Sequence, residues 1–237
     1  MSVIGEVLSS ITNTLPQSSI GNQSYTLYSY WRSSTSYRVR IVMNLKKLAY
    51  ETKPINLLTG EHQSNTEYKS INTQQVVPSL IHNNHTIIQS IAICEYLNEL
   101  HPNIAPLLPV DIYERALCRS IVMIIAADTS PIVNMTVLKS IESLAGTQAK
   151  QQWINTTIHK GLQAVENMIN NLSNGKYCIS DHITLADICL IPQIYNAIRF
   201  SVNLDDCPTI MKIYKYLITL PEFIDASPEK QIDAPKQ

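Results

Sequence analysis

The sequence has no block of like charge. Its 18 Lys and Arg stand against 19 Asp and Glu, a net charge of −1, and charged residues make up only 16% of the chain. Without a basic patch, nucleic acid and anionic membrane surfaces are not expected partners. There is no C-x-x-C pair. Cys94, Cys118, Cys178, Cys189 and Cys207 lie far apart, and an odd count without close pairs points to buried thiols in a reducing compartment rather than a disulfide frame. A cytoplasmic location is expected on that ground. No apolar run reads as long and unbroken enough to cross a bilayer. The six histidines show no metal-ligand spacing, so no metal is expected. Repeats and heptads are absent. Residues 1–24 contain no Arg or Lys, and Glu6 is their one charged side chain. That composition fits neither a transit nor a signal peptide, and it reads as a flexible tail in which Val3 to Leu8 is able to dock.

What is present is enough apolar residue for a core, 45% of 237 residues, in one domain or two small ones. Tyr25 to Trp31 reads as a strand and Ser36 to Leu48 as a helix with Val39, Val42, Leu45 and Leu48 on one face. Tyr50 to Asn56 is a second strand, which Pro54 places at a sheet edge. After a polar loop from Leu57 to Thr66, a short helix is expected near Glu67 to Ile71. Val76 to Ile88 reads as a hairpin turning at Asn83-Asn84, because Asn tolerates the positive φ of tight turns. Ser90 then caps a helix over Ile91 to Leu100.

Three prolines between His101 and Pro109 make a stiff connector, assigned to 102–110. The sheet-bearing domain is therefore 25–101. Strand signals vanish beyond it, and 111–227 is expected to be all helical. Helices are read at Asp111 to Ala127, Gln148 to Asn171 (closed by Asn174-Gly175), Leu185 to Arg199, and Pro208 to Leu220. Thr184 and Asp187 form an acidic capping box for the third of these. Pro221, Pro228 and Pro235 are read as marking a loose C-terminal tail, assigned to 228–237.

At the first strand-to-helix junction, Ser33, Ser34, Thr35 and Ser36 gather hydroxyls and free backbone N–H groups at a helix start. That arrangement is suited to an anion, a thiolate included.

Several segments taken together resemble the zeta class of glutathione transferases, the family that includes maleylacetoacetate isomerase. They are Tyr28-Ser29-Tyr30-Trp31-Arg32-Ser33-Ser34, Ser36-Tyr37-Arg38-Val39-Arg40-Ile41, Tyr50 to Leu57, Val77-Pro78-Ser79-Leu80, Gln89 to Leu97, and Pro192 to Phe200. The resemblance runs from about Tyr28 to Pro235. It implies a thioredoxin-like α/β domain followed by an all-helical one. It also implies glutathione as cofactor, held by Ser33, Ser34, Thr35, Ser36, Tyr37, Arg38, Gln63, Val77, Gln89 and Ser90. In this reading Ser33, Ser34 and Thr35 are the catalytic hydroxyls. A cis Val77-Pro78 bond would leave Val77 an open edge for the cysteinyl residue, and Gln89-Ser90 would hold the γ-glutamyl carboxylate. Arg38 and Arg199 would meet substrate carboxylates. For Arg199, helix-end capping or pairing with Asp205 or Asp206 is an equal alternative. Ser90 and Gln63 also have plain readings, as a helix cap and a solvent-facing side chain.

Two departures stand out. Thr35 replaces the family's usual cysteine, keeping a hydroxyl but excluding a protein thiolate there. Val133 falls where glutamine is frequent. The expected activity is the glutathione-dependent cis–trans isomerisation of maleylacetoacetate in phenylalanine and tyrosine breakdown. Its attacking sulfur belongs to glutathione, so a protein thiol is not essential. The alternatives are a general transferase for small electrophiles such as haloacids, and a glutathione-binding protein without catalysis. A homodimer packed on the face around Leu80 to Leu97 is also implied.

Overall fold

The computed structural model describes residues 24–236. The expected flexible tail, Val3 to Leu8 included, lies outside the described residues apart from Ser24. Four strands pair in the order β2-β1-β3-β4: β1 (Tyr25–Ser29), β2 (Tyr50–Pro54), β3 (Ser79–His82) and β4 (His85–Ile88). β1 runs parallel to β2 and antiparallel to β3, and β3 and β4 form the hairpin. Its turn residues Asn83 and Asn84 have φ of 48° and 65°, as a two-residue hairpin turn requires. β2 lies at the edge, where the missing N–H of Pro54 breaks no ladder.

Helix α1 (Ser34–Leu45) follows β1, while α2 (Glu61–Ser64) and α3 (Thr66–Ile71) fill the β2–β3 connection, and α4 (Ser90–Leu100) follows the hairpin. α2 lies in the segment read as a loop; it is a single turn entered at Gly60, whose φ is 77°. Leu27 and Leu80 on one sheet face meet Val39, Ile41, Ile93 and Leu97 of α1 and α4, all fully buried. Each such side chain contributes about 1.5–3 kcal/mol of burial. Leu80 and Leu97, the ends of the face expected to meet a second copy, are therefore buried in the chain's own core. The far sheet face carries a smaller cluster of Tyr28, Tyr30, Ile55, Tyr68 and Val77.

The rest is helical: α5 (Ile112–Met123), α6 (Met135–Ile169), α7 (Leu185–Arg199), α8 (Pro208–Leu217) and α9 (Pro221–Ala226). α7 has the bounds read from sequence and is the hub, with Ile188, Cys189, Leu190, Ile191 and Ile194 fully buried. The Asp187 carboxylate closes its start, accepting from Thr184 N (2.8 Å), Thr184 Oγ1 (2.9 Å) and Cys178 N (2.7 Å). α1 packs on both α7 and α9, so one core runs through both halves.

Several expectations are corrected. α6 begins at Met135, well before the expected Gln148, and breaks at Gly146, whose φ is 84°. Before that break only Leu138 is buried, so no apolar stripe announces the helix. It ends at Ile169, and Gly175 (φ 81°) belongs to a later turn rather than to its cap. Pro221 opens α9 instead of a loose tail, because Phe223 and Ala226 give it a fully buried face. Pro228–Lys230 forms a further 3-10 turn, and Asp233 is bonded to Trp31, so 228–236 is docked. α5 continues through a π-helical turn, Ile124–Thr129, into a 3-10 turn, Pro131–Val133. The joined segment Ile112–Val133 is long and apolar enough, by length and composition, to cross a membrane. The sequence reading missed this by ending the helix at Ala127. Its Cys118, Ile121, Val122 and Ile125 are buried in the core.

Candidate active site

The turn between β1 and α1 delivers the hydroxyl cluster. Ser33 N donates to Tyr30 O at 3.0 Å, and the Ser33 side chain caps α1 by accepting from Ser36 N at 3.2 Å. Ser33 Oγ lies 2.8 Å from Thr35 Oγ1, which donates to Val77 O at 3.0 Å. With that proton spent, the Ser33 hydroxyl is the donor of the first pair. The hydroxyls thus form a chain from Ser33 through Thr35 to the Val77 carbonyl. Ser34, the first residue of α1, is half-buried, and its hydroxyl has no hydrogen bond among the described residues. The Ser36 hydroxyl is also without a partner but is fully buried, so Ser34 is the free donor at the helix start that a ligand can reach.

The Val77-Pro78 bond is cis, as expected. Val77 O was expected to be unpaired, but Thr35 occupies it; a carbonyl keeps a second lone pair for a further donor. Gln89 holds the N-cap position of α4 at φ 71° without a side-chain cap, and its Nε2 donates to Gln74 Oε1 at 2.6 Å. Ser90 is therefore the first helical residue rather than the cap. Its Oγ accepts from Arg38 Nη1 at 3.3 Å.

Five residues assigned to glutathione contact are buried: Val77 and Ser90 keep 6% and 5% exposure, while Ser36, Tyr37 and Arg38 keep 3% or less and face the interior. Ser36 is fully buried, and Tyr37 is buried with its hydroxyl donating to Phe223 O at 3.2 Å. Burial pushes the Tyr37 pKa up, so it stays protonated. Arg38 is 1% exposed, and its Nη2 donates to Ser130 Oγ at 2.8 Å. It is a support behind Ser90, out of reach of substrate carboxylates in the open site. Ser130 in turn donates to Gln193 Oε1 of α7 at 2.9 Å. Gln63 is exposed on α2 with no side-chain hydrogen bond among the described residues.

Arg199 ends α7 and is exposed, its ring neighbour Phe200 lying 4.0 Å from the guanidinium carbon. It does not pair with Asp205 or Asp206; Asp206 is taken by His159 at 2.9 Å. The pKa of Arg199 is lowered, first by the desolvation of its guanidinium against neighbouring protein groups although the residue as a whole is exposed, and then by the positive charge of Arg32. Arg32 stacks over Trp31 at 5.2 Å, and neither arginine has an ion-pair partner among the described residues. Sequence reasoning passed over Arg32. The available signal was the lack of any acidic residue between Glu6 and Glu51, which leaves Arg32 no local partner. Val133 is buried in the 3-10 turn, and Asn134 caps α6 by accepting from Val137 N at 2.9 Å.

The donor set fits glutathione: a free hydroxyl at a helix start for the thiolate, a cis-proline edge for the cysteinyl residue, and Ser90 braced by Arg38 for a carboxylate. Residues 23–99 match the glutathione S-transferase N-terminal domain, and residues 129–228 the glutathione S-transferase C-terminal domain. The chain is 43% identical to a probable maleylacetoacetate isomerase 2 of Drosophila melanogaster, over 95% of this chain and 97% of that one. Among solved structures it resembles a holo maleyl pyruvate isomerase, a bacterial zeta-class glutathione S-transferase. The TM-score is 0.85 at 36% identity, covering 89% of this chain and all of the other. It also resembles a maleylacetoacetate isomerase from Anaeromyxobacter dehalogenans with dicarboxyethyl glutathione and citrate bound in the active site. There the TM-score is 0.81 at 35% identity, over 90% and 95% of the two chains. With its sheet, cis proline, hydroxyl cluster and helical half in this order, the chain belongs to the zeta class of the glutathione S-transferase family.

Proposed function

We propose that the protein is a glutathione-dependent isomerase that converts maleylacetoacetate to its trans isomer, fumarylacetoacetate. The observation that carries this is a pair of arginines without ion-pair partners among the described residues, Arg32 on the turn that leads into the free Ser34 hydroxyl and Arg199 at the exposed end of α7, joined to the likeness to isomerases of this class. Glutathione supplies a thiolate that adds reversibly to the cis double bond and departs after the bond has rotated, so it is not consumed. Ser34 and the α1 N-terminus hold that thiolate, favouring the charged form of a thiol with an ordinary pKa near ~8.5. Ser33 and Thr35 order the turn and the Val77 edge. Ser90, backed by Arg38, holds the γ-glutamyl carboxylate, and Gln89 and Gln63 flank it. Arg199 and Arg32 orient the dicarboxylate.

We place the domain division at 102–110, read the protein as cytoplasmic from its five free, buried cysteines, and read it as a homodimer on the strength of the family alone. The deciding experiment follows isomerisation of maleylacetoacetate, or its analogue maleylacetone, with and without glutathione. Turnover only with glutathione is expected. Glutathione binding without turnover would overturn the isomerase reading.

A further inference from the structure

The Tyr30–Ser33 turn carries Arg32 and aims the α1 hydroxyls, yet its backbone is held from the other end of the chain. Trp31 N donates to Asp233 Oδ2 at 2.9 Å, a contact spanning 202 residues. Arg40 holds the two carbonyls, with Nη2 donating to Trp31 O at 3.0 Å and Nη1 to Tyr30 O at 3.4 Å. The same guanidinium uses Nε to hold Ala226 O, at 2.9 Å, in the last turn of α9.

Residues 221–233 thus form a strap. Asn44 Nδ2 donates to Glu222 O at 3.0 Å and Tyr37 Oη to Phe223 O at 3.2 Å, which docks its start on α1. Gln231 Nε2 donates to Ser227 O at 2.8 Å and Asp225 O at 3.0 Å, which holds the run from α9 to Asp233. Midway, Glu229 Oε1 accepts from Tyr195 Oη at 2.6 Å. Tyr195 lies one helical turn before Arg199 on α7. The strap therefore grips both the turn bearing Arg32 and the helix bearing Arg199.

We propose that this C-terminal strap sets the spacing of Arg32 and Arg199, and that Asp233 is a positioning residue which makes the site selective for a dicarboxylate. The inference rests on the isomerase reading for its substrate and on the strap contacts for its mechanism. A carboxylate on a backbone N–H is a charge-assisted hydrogen bond, stronger than a neutral one and directional. With it in place, Arg32 is presented on a rigid turn. Without it, Trp31 N–H turns to water and the turn is free to move relative to α7.

The test compares wild type with Asp233→Ala and Asp233→Asn, loaded with glutathione, using succinate as an unreactive dicarboxylate and acetate as its monocarboxylate control. Calorimetry is expected to show succinate affinity reduced roughly fivefold in Asp233→Ala, the worth of about one hydrogen bond. Acetate and glutathione affinities are expected to stay within about twofold of wild type. Exchange of the Trp31 amide with deuterated solvent is expected to accelerate. Asp233→Asn, whose amide oxygen still accepts from Trp31 N, is expected to recover most of the loss. Unchanged succinate affinity in Asp233→Ala would overturn the proposal, and so would equal losses for succinate and glutathione. Neither binding nor exchange needs turnover, so a protein that fails the isomerase assay can still pass or fail this one.

Discussion

The Thr35 hydroxyl donates to the Val77 carbonyl at 3.0 Å, joining the start of α1 to the cis-proline edge. The cysteine usual at this place in the class has a weaker donor in its S–H group. Threonine therefore adds a structural bond where the family carries a thiol. Thr35→Val keeps the shape and removes that bond. It is expected to weaken glutathione binding by about 0.5–1.5 kcal/mol, measured by calorimetry. Thr35→Cys is expected to retain binding, and its turnover relative to wild type reports how much a thiol contributes.

Ser34→Ala removes the free hydroxyl at the helix start that is not fully buried; the Ser36 hydroxyl, also without a partner, lies in the interior. The thiol of bound glutathione should titrate at higher pH, followed by thiolate absorbance in the ultraviolet. Turnover at neutral pH should fall by about 10²–10³, the scale for losing a donor to a developing anion. An equal effect on glutathione affinity alone would assign Ser34 to binding.

On the proposed reading, Arg199→Gln leaves Arg32 as the lone cation for the dicarboxylate. The expected result is a KM for the dicarboxylate raised roughly tenfold or more, with glutathione affinity unchanged. Steady-state kinetics with each substrate varied in turn separates the two.

The sheet carries its own pH dependence. His82 is buried, stacked on Tyr25 at 4.3 Å, with Nδ1 2.7 Å from Tyr96 Oη. Burial, then His101 and His85, lower its pKa, while burial and Lys46 lower that of His101. Both groups bind protons more readily when the chain is unfolded. Stability is therefore full above the ordinary histidine range near ~6.5 and is lost as pH falls below it. Urea unfolding at pH 7 and pH 5 should show this loss, and His82→Phe, which keeps the stack, should reduce it.

Much of this was legible locally. The α7 segment has a capping box at one end and apolar residues all round, so its bounds follow from sequence alone. The Asn83-Asn84 hairpin and the edge position of β2 follow from backbone chemistry. The site was less legible. A run such as Ser36-Tyr37-Arg38 gives its helical phase but not what covers each face. In the fold α9 covers one face and the Ser130 junction after the π-helical turn another, so Tyr37 turns to Phe223 and Arg38 to Ser130. The docking of Asp233 on Trp31 has no local signal, because its partner is 202 residues away.

The π-helical turn at Ile124–Thr129 has a consequence for how this protein can change. A π turn places one more residue per turn than an α-helix, so everything after it is rotated by about 100° relative to a plain helix. Ser130, next in the chain, uses that phase to stand between Arg38 and Gln193. Deleting a single residue from 124–129 would restore an ordinary helix and swing Ser130 off the guanidinium. The glutathione half could not then be paired with an arbitrary helical half. Any graft would have to carry the extra residue with it.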